Sequence, residues 1–365
     1  MSSDSNSAAR STKTFPYYKF KGNHRQIGQQ YGEACRSLIM LHRDYALERL
    51  RKAVEIPSLD ALEEAALQYR PYVQKYAPFF DEEIQGLAEG AGISLGVAYF
   101  LQLRAELYHY FDTTDECTTF AVSAAATRDG IPLIGQNADL PAFYQEIGVL
   151  VEAHPDDKPA TFMLTPAGQI SYIGINDQGM GVFANFLECD GWRVGFPRYL
   201  LSRLALTQSS LADAMEVVSN VYRASSRNLI MMDKDGNSLD LETVPNKIGI
   251  IEPNNGLLAH SNHFIASDLL GEERKQGEAL ENSRIRLQRM QHLLEQHYGR
   301  IDVQVMQEIL RDRETAPHTL CRMPGDFGKD TITFASVIAA PSKGELWVAI
   351  GPPHQYEYTY YRFSS

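Results

Sequence analysis

Four cysteines in 365 residues, at 35, 117, 189 and 321, are too few and too far apart for a disulfide framework. None stands in a Cys-x-x-Cys pair or at zinc spacing to a histidine, so no metal site is expected. Each cysteine should be a small core residue or a reactive thiol, and the usage suits a reducing compartment, which makes the cytoplasm the expected location. No apolar run approaches the roughly 20 residues of a membrane helix, so no membrane association is expected. The first dozen residues are Ser-rich and polar, without the apolar stretch of a secretory signal. Residues 1–18 are therefore expected to form a disordered leader. Basic residues are also in deficit: 34 Lys and Arg face 46 Asp and Glu, for a net charge of -12. That balance argues against nucleic-acid binding, which needs clustered cations. Repeats, low-complexity blocks and Gly/Ser linkers are missing too. With 44% hydrophobic residues, the chain can build one large core or two modest ones.

What is present falls into two grammars. From His24 to about Tyr110 apolar residues recur at three- to four-residue steps, as in Ile27-Tyr31-Cys35-Ile39. Ser58 is placed to cap a helix that begins at Leu59. Further helices are expected over Phe79–Ala91 and Ser94–Tyr108. At Cys117 the pattern becomes β-branched and aromatic. Thr118 to Ser123, a turn at Arg128-Asp129-Gly130, and Ile131 to Gln136 read as a hairpin. More strands follow between Gly148 and Ala184. Helices are expected at 198–207, 211–222, 279–297 and 303–311, and strands at 229–261, 333–339 and 345–351. Tyr356 to Tyr361 alternates like an edge strand. Strand meanders alternating with helix pairs indicate an α+β layered domain.

Cys117 stands where helix hands over to strand. In an intact chain it is an ordinary strand cysteine. If the Glu116-Cys117 bond is cut, the freed α-amino group lies within reach of its own sulfur, and with a reference pKa near ~8 it can accept the thiol proton. The cut can be self-inflicted: the thiol attacks the Glu116 carbonyl, an N→S acyl shift gives a thioester, and water hydrolyses it.

Glu116-Cys117-Thr118-Thr119-Phe120, followed by Gly135-Gln136-Asn137-Ala138-Asp139, resembles the N-terminal-nucleophile cysteine hydrolases. The nearest branch holds the acyl-coenzyme A:6-aminopenicillanate acyltransferases, the C45 peptidases. Further matches are Gly174 to Gly181 leading to Asn185, His260-Ser261-Asn262-His263-Phe264, Ser283-Arg284, and Thr319-Leu320-Cys321-Arg322, so the likeness spans about Lys19 to Pro353. It implies a four-layer αββα sandwich over residues 117–365, preceded by a mainly helical segment over 19–116. The two would be fragments that stay associated after cleavage, with higher assembly left open. Cys117 would be the nucleophile, Asp139 would hold the new α-ammonium or orient groups during cleavage, and Asn262 would donate to the oxyanion. Asn185, with Thr118 and Thr119, would assist the oxyanion or bind substrate. The implied activity is hydrolysis of a small-molecule acyl amide or thioester, with no cofactor. The alternatives are acyl transfer to an amine, or an inactive scaffold of the same fold.

Two departures stand out. The acyltransferase branch cleaves a Gly-Cys bond where this chain has Glu116-Cys117, so slow cleavage is expected. Its arginine ahead of the penultimate strand is replaced here by Lys329-Asp330, and Gln136 stands where the bile-salt branch has arginine. Among other candidates, His260 and His263 read as buried, hydrogen-bonded histidines rather than a metal pair. Glu242 is a site carboxylate or a solvent-facing strand residue. Cys35, Cys189 and Cys321 read as core thiols.

Overall fold

The computed structural model describes residues 9–55, 58–103, 106–107, 116–328 and 330–364. Helices α1 (His24–Ala34), α2 (Arg36–Ala53), α3 (Leu59–Leu67), α4 (Arg70–Tyr76), α5 (Pro78–Ala91) and α6 (Leu95–Leu101) fill the N-terminal third. They follow strand β1 (Tyr17–Gly22). Next come β2 (Glu116–Val122), β3 (Leu133–Pro141), the short α7 (Tyr144–Ile147), β4 (Gly148–Pro155), β5 (Thr161–Pro166), β6 (Ile173–Asn176) and β7 (Gly181–Asn185). The helices α8 (Arg198–Ala205) and α9 (Leu211–Asn220) lead to β8 (Arg227–Met232), β9 (Ser238–Thr243), β10 (Ile248–Ile251) and β11 (Leu257–His260). Last are α10 (Gly277–Gln296), α11 (Val303–Leu310), β12 (Thr331–Ala340), β13 (Glu345–Ile350) and β14 (Thr359–Arg362).

The strands form two sheets. Eight run in the order β1-β4-β5-β6-β7-β8-β9-β10, and six in the order β11-β2-β3-β12-β13-β14. Only β1 and β4 pair in parallel among the described ladders. Period-two alternation decides what lies where. Ile134, Ala138, Phe162, Leu164, Ile230 and Met232 meet in one apolar cluster between the sheets. On the outer face of the larger sheet, Val149, Val182, Leu229 and Met231 pack with the N-terminal helices, α8 and α9. On the outer face of the smaller sheet, Phe120, Val122 and Ile338 pack with α10 and α11. The result is the four-layer αββα architecture, and the N-terminal helices belong to its outer layer.

Several expectations need adjusting. The disordered leader expected over residues 1–18 does not hold for its second half, since Ser11 bridges to Tyr356 and Phe15 is buried in the inter-sheet core; residues 1–8 lie outside the described residues. The pattern Tyr17-Tyr18-Lys19-Phe20 forms a strand because its backbone docks on the edge of β4. Helix α6 ends at Leu101 rather than Tyr108, and residues 108–115 lie outside the described residues. Helix α3 begins as expected, with the Ser58 hydroxyl accepting from the Ala61 amide at 3.1 Å. No single described helix is long and apolar enough to cross a membrane.

Helices α1 and α5 cross at a glycine seam. A Cβ added at Gly28 would lie 2.0 Å from the Glu83 carbonyl oxygen, and one at Gly86 would lie 2.1 Å from that of Arg25. Gly32 and Gly90 are equally tight. Two small-residue pairs at four-residue spacing thus let the backbones touch. Gly86→Val should cost about 3 kcal/mol through overpacking, read by urea denaturation. Gly271→Ala, with open space around it, should change stability by less than about 0.5 kcal/mol.

Candidate active site

Cys117 is the second residue of β2 and pairs across the ladder with Ala138. Its side chain is 5% exposed and shares the inter-sheet cluster with Ala138, Tyr172 and Tyr199. On its other side, β11 ends at His260 opposite Thr119, so the ladder stops short of Cys117. Side chains replace it. The Cys117 amide donates to Asn262 Oδ1 at 2.7 Å. The Cys117 carbonyl accepts from Asn185 Nδ2 at 3.1 Å and Arg286 Nη1 at 2.7 Å.

These asparagines are held in turn. Asn262 Oδ1 also accepts from Arg286 Nη2 at 3.0 Å, which fixes the amide orientation, and Nδ2 donates to the Phe186 carbonyl at 3.0 Å. Its backbone N–H donates to Ser283 Oγ at 2.7 Å. Asn185 Oδ1 accepts from Thr119 Oγ1 at 2.8 Å and from Asn228 Nδ2 at 3.1 Å. Thr118 points to the opposite face of the strand, where its hydroxyl accepts from Arg286 Nη1 at 2.7 Å. The structure therefore brings Cys117, Thr119, Asn185 and Asn262 into one hydrogen-bonded group, and Thr118 joins through Arg286.

Asp139 lies elsewhere. It opposes Glu116 rather than Cys117, so the pleat turns it toward α10 and α11. Its Oδ1 accepts from Thr333 Oγ1 at 2.6 Å, and its Oδ2 lies 3.8 Å from Arg322 Nε. Burial pushes the Asp139 carboxyl up to about 6, although Arg322, Arg286 and the Thr333 hydroxyl pull it down. Arg322 is pushed down by the same burial, which outweighs the pull of Asp139 and Glu116. For both partners desolvation exceeds their mutual attraction at this separation. Arg322 lies nine residues ahead of the first residue of β12, and its backbone N–H donates to Thr333 Oγ1 at 2.9 Å. The Lys329 of the expected replacement lies outside the described residues.

Sequence reasoning missed the charged clamp on Glu116. This carboxylate is fully buried and accepts from Lys275 Nζ at 2.7 Å, Asn282 Nδ2 at 2.9 Å and Arg286 Nη2. Burial raises its pKa, but Lys275, Arg286 and Arg322 outweigh that and hold it below the usual carboxylate range. The available signal lay in α10, where Asn282, Ser283 and Arg286 interrupt a face that continues with Met290 and Leu293. Polar residues on the buried face of an amphipathic helix require partners. The glycine question also changes: Glu116 sits in strand β2, and Asn255 is the one non-glycine residue with positive φ among those described. Its extended backbone suits any residue.

The remaining candidates resolve simply. Glu242 does not face solvent: it accepts from the amides of Ile265 and Ala266 at 2.7 and 3.2 Å and meets His260 Nε2 at 2.8 Å. It thereby holds the loop that carries Asn262. His263 contacts Ser283 Oγ at 2.8 Å, and burial pushes it down to about 3. No group of three metal-ligating side chains exists among the described residues. Cys35, Cys189 and Cys321 are buried, and burial pushes the Cys35 and Cys321 thiols up to about 12.

Arg286→Met should leave the buried Glu116 carboxylate short of one of its two contacting counter-charges and cost about 3–5 kcal/mol of stability in chemical denaturation. Glu308→Ala, which removes an exposed partner of Arg311, should cost less than about 1 kcal/mol.

The family model for acyl-coenzyme A:6-aminopenicillanic acid acyl-transferase matches residues 126–355, starting nine residues after Cys117. Among solved structures, a variant of the conjugated bile acid hydrolase of Clostridium perfringens is 15% identical, with a TM-score of 0.43, and the match covers 68% of this chain and 97% of that one. Penicillin V acylase from Agrobacterium tumefaciens is 13% identical, with a TM-score of 0.45, and the match covers 64% of this chain and 83% of that one. With most of its length matched by the family model, the chain belongs to the acyl-coenzyme A:6-aminopenicillanic acid acyl-transferase family.

Proposed function

We propose that this protein is a self-cleaving N-terminal-nucleophile amidohydrolase, with Cys117 as the nucleophile. The observation that carries the reading is the treatment of the Cys117 main chain. Its N–H is held by an asparagine carbonyl oxygen and its C=O by Asn185 and Arg286, where a continued strand would otherwise serve. An N–H held by Asn262 Oδ1 becomes, after cleavage, an amine held at the same acceptor. The amine's lone pair is then free to take the thiol proton.

Activation follows the chemistry set out for the sequence. The Cys117 sulfur adds to the Glu116 carbonyl carbon and the C–N bond breaks, with the proton passing to the departing amine. Water then hydrolyses the thioester, leaving a Glu116 carboxylate and a free Cys117 amine. The anchored Glu116 side chain keeps the reacting carbonyl in place during these steps. In turnover the thiolate attacks a substrate acyl carbon, the amine leaving group takes a proton, and water releases the acid. Asn262 retains a second side-chain N–H beyond the one given to Phe186, and we assign it to the oxyanion. The loss of such a donor costs about 3 kcal/mol in the barrier. Asn185 positions the Cys117 carbonyl. Asp139 acts through Arg322 and the Glu116 side of the clamp rather than by touching the amine.

Acyl transfer to an amine is the second reading, favoured by the description of the matching family. Incubating acyl-enzyme with an amine acceptor separates the two: free acid as the main product supports hydrolysis, and a new amide supports transfer.

Freshly folded wild type, of 41.0 kDa, should convert to two associated fragments. N-terminal sequencing should place Cys117 at the start of the larger one. Cys117→Ala should stay intact. A wild-type chain that remains whole and inert toward acyl amides after prolonged incubation would support the inactive scaffold instead.

A further inference from the structure

Arg227 opens β8 and is 2% exposed, yet its Nε and Nη2 have no hydrogen-bond partner among the described residues. Its guanidinium lies over the ring of Tyr199, 4.6 Å from the centroid, with Tyr172 at 5.9 Å. Both tyrosines belong to the apolar cluster that contains Cys117. The next residue, Asn228, donates to Asn185, which in turn donates to the Cys117 carbonyl. Two hydrogen bonds therefore tie the residue next to Arg227 to the proposed reaction centre.

A second guanidinium stands beside it. Arg198 is fully buried and packs over Phe186, Tyr199 and Trp192, but it has a counter-ion: its Nε lies 3.4 Å from Glu106 Oε2. The groups that act most on Arg227 include no carboxylate. Burial pushes its pKa down, the Tyr199 and Tyr172 hydroxyls and the Cys117 thiol pull it up, and the like charge of Arg198 pushes it down again. Of these two buried cations, only Arg198 has a described carboxylate partner. Folded proteins rarely keep a buried cation without a partner, because the desolvation goes uncompensated. A planar fork with two free N–H groups matches a carboxylate.

We infer that Arg227 is a specificity residue that binds a carboxylate of the substrate beside Cys117, so that the preferred substrates are acyl amides bearing a free acid. This rests on the reading of Cys117 as the reacting group and narrows its substrate class. The acid can belong to the amine half, as in an N-acyl amino acid, or to the acyl half, as in a dicarboxylic monoamide. The aromatic walls suit the apolar remainder of either.

The test uses two matched pairs of probes on the wild-type protein: N-benzoylglycine against its neutral amide, and glutaryl anilide against butyryl anilide. At least one acid should exceed its neutral partner by about tenfold or more in kcat/KM, chiefly through KM, as expected for a charge-assisted bidentate contact. In Arg227→Met that ratio should fall to near unity, and Arg227→Lys should restore part of it. The pair that responds identifies which half carries the acid. Equilibrium binding of N-benzoylglycine and its amide to wild type is measured alongside and needs no turnover. If neither pair is hydrolysed but the acid still binds about tenfold more tightly, the nucleophile reading fails and the subsite stands. Equal treatment of acid and neutral probes in both measurements, or a preference unchanged in Arg227→Met, overturns the inference. If Arg227→Met does not fold, the Arg227→Lys variant and the wild-type binding comparison decide it.

Discussion

The buried carboxylate of Glu116, held by Lys275, Asn282 and Arg286, is the interaction on which the rest of the site depends. Three donors converge on an acceptor with no access to water, so the strand that carries it has little freedom to shift. Arg286 extends the same constraint to the next two residues, touching the Cys117 carbonyl, the Thr118 hydroxyl and the Asn262 side chain. One guanidinium therefore fixes the residue before the cysteine, the cysteine itself and the asparagine that receives its N–H. A buried ion group of this kind contributes little net stability against an apolar replacement, yet breaking it is costly. Its value here is geometric.

Strand parity divides the labour. Residues 117, 119 and 121 of β2 face the space between the sheets, where Asn185, Asn228, Tyr172 and Tyr199 lie. Residues 116 and 118 face α10, which supplies the charges. Asp139 follows Glu116 to the charged side because it sits opposite on β3. The proposed chemistry and its electrostatic support thus occupy opposite faces of one strand, and the main chain of Cys117 connects them.

Much of this was legible from the chain alone, and the limits have physical causes. The handover at Cys117, the hairpin, Ser58 as a cap and the helix at α10 depend on local periodicity, which a single sequence displays. The grouping of Asn185 and Asn262 with Cys117 came through the ordered motifs of a family. Strand β1 was invisible because its stability comes from docking on β4, a contact more than a hundred residues away. Lys275 and Arg286 escaped for the same reason: what a charged side chain meets depends on tertiary packing. The role of Glu116 was misjudged most. Taken locally it was a poor substitute for glycine; in the fold it is an extended-strand residue whose side chain has a prepared, charged site. Whether Lys329 stands in for the family's arginine is untouched, because Lys329 lies outside the described residues. Arg322, farther back, is pinned to that strand through Thr333.

The central claim is that the Cys117 sulfur carries the acyl group. Mature protein mixed with an excess of a slowly turned-over acyl amide, quenched in acid and digested, should yield a peptide beginning at Cys117 whose mass is raised by the acyl group, with the adduct lost on treatment with neutral hydroxylamine. An acyl group found on another residue, or steady turnover by a Cys117→Ala protein, would contradict it.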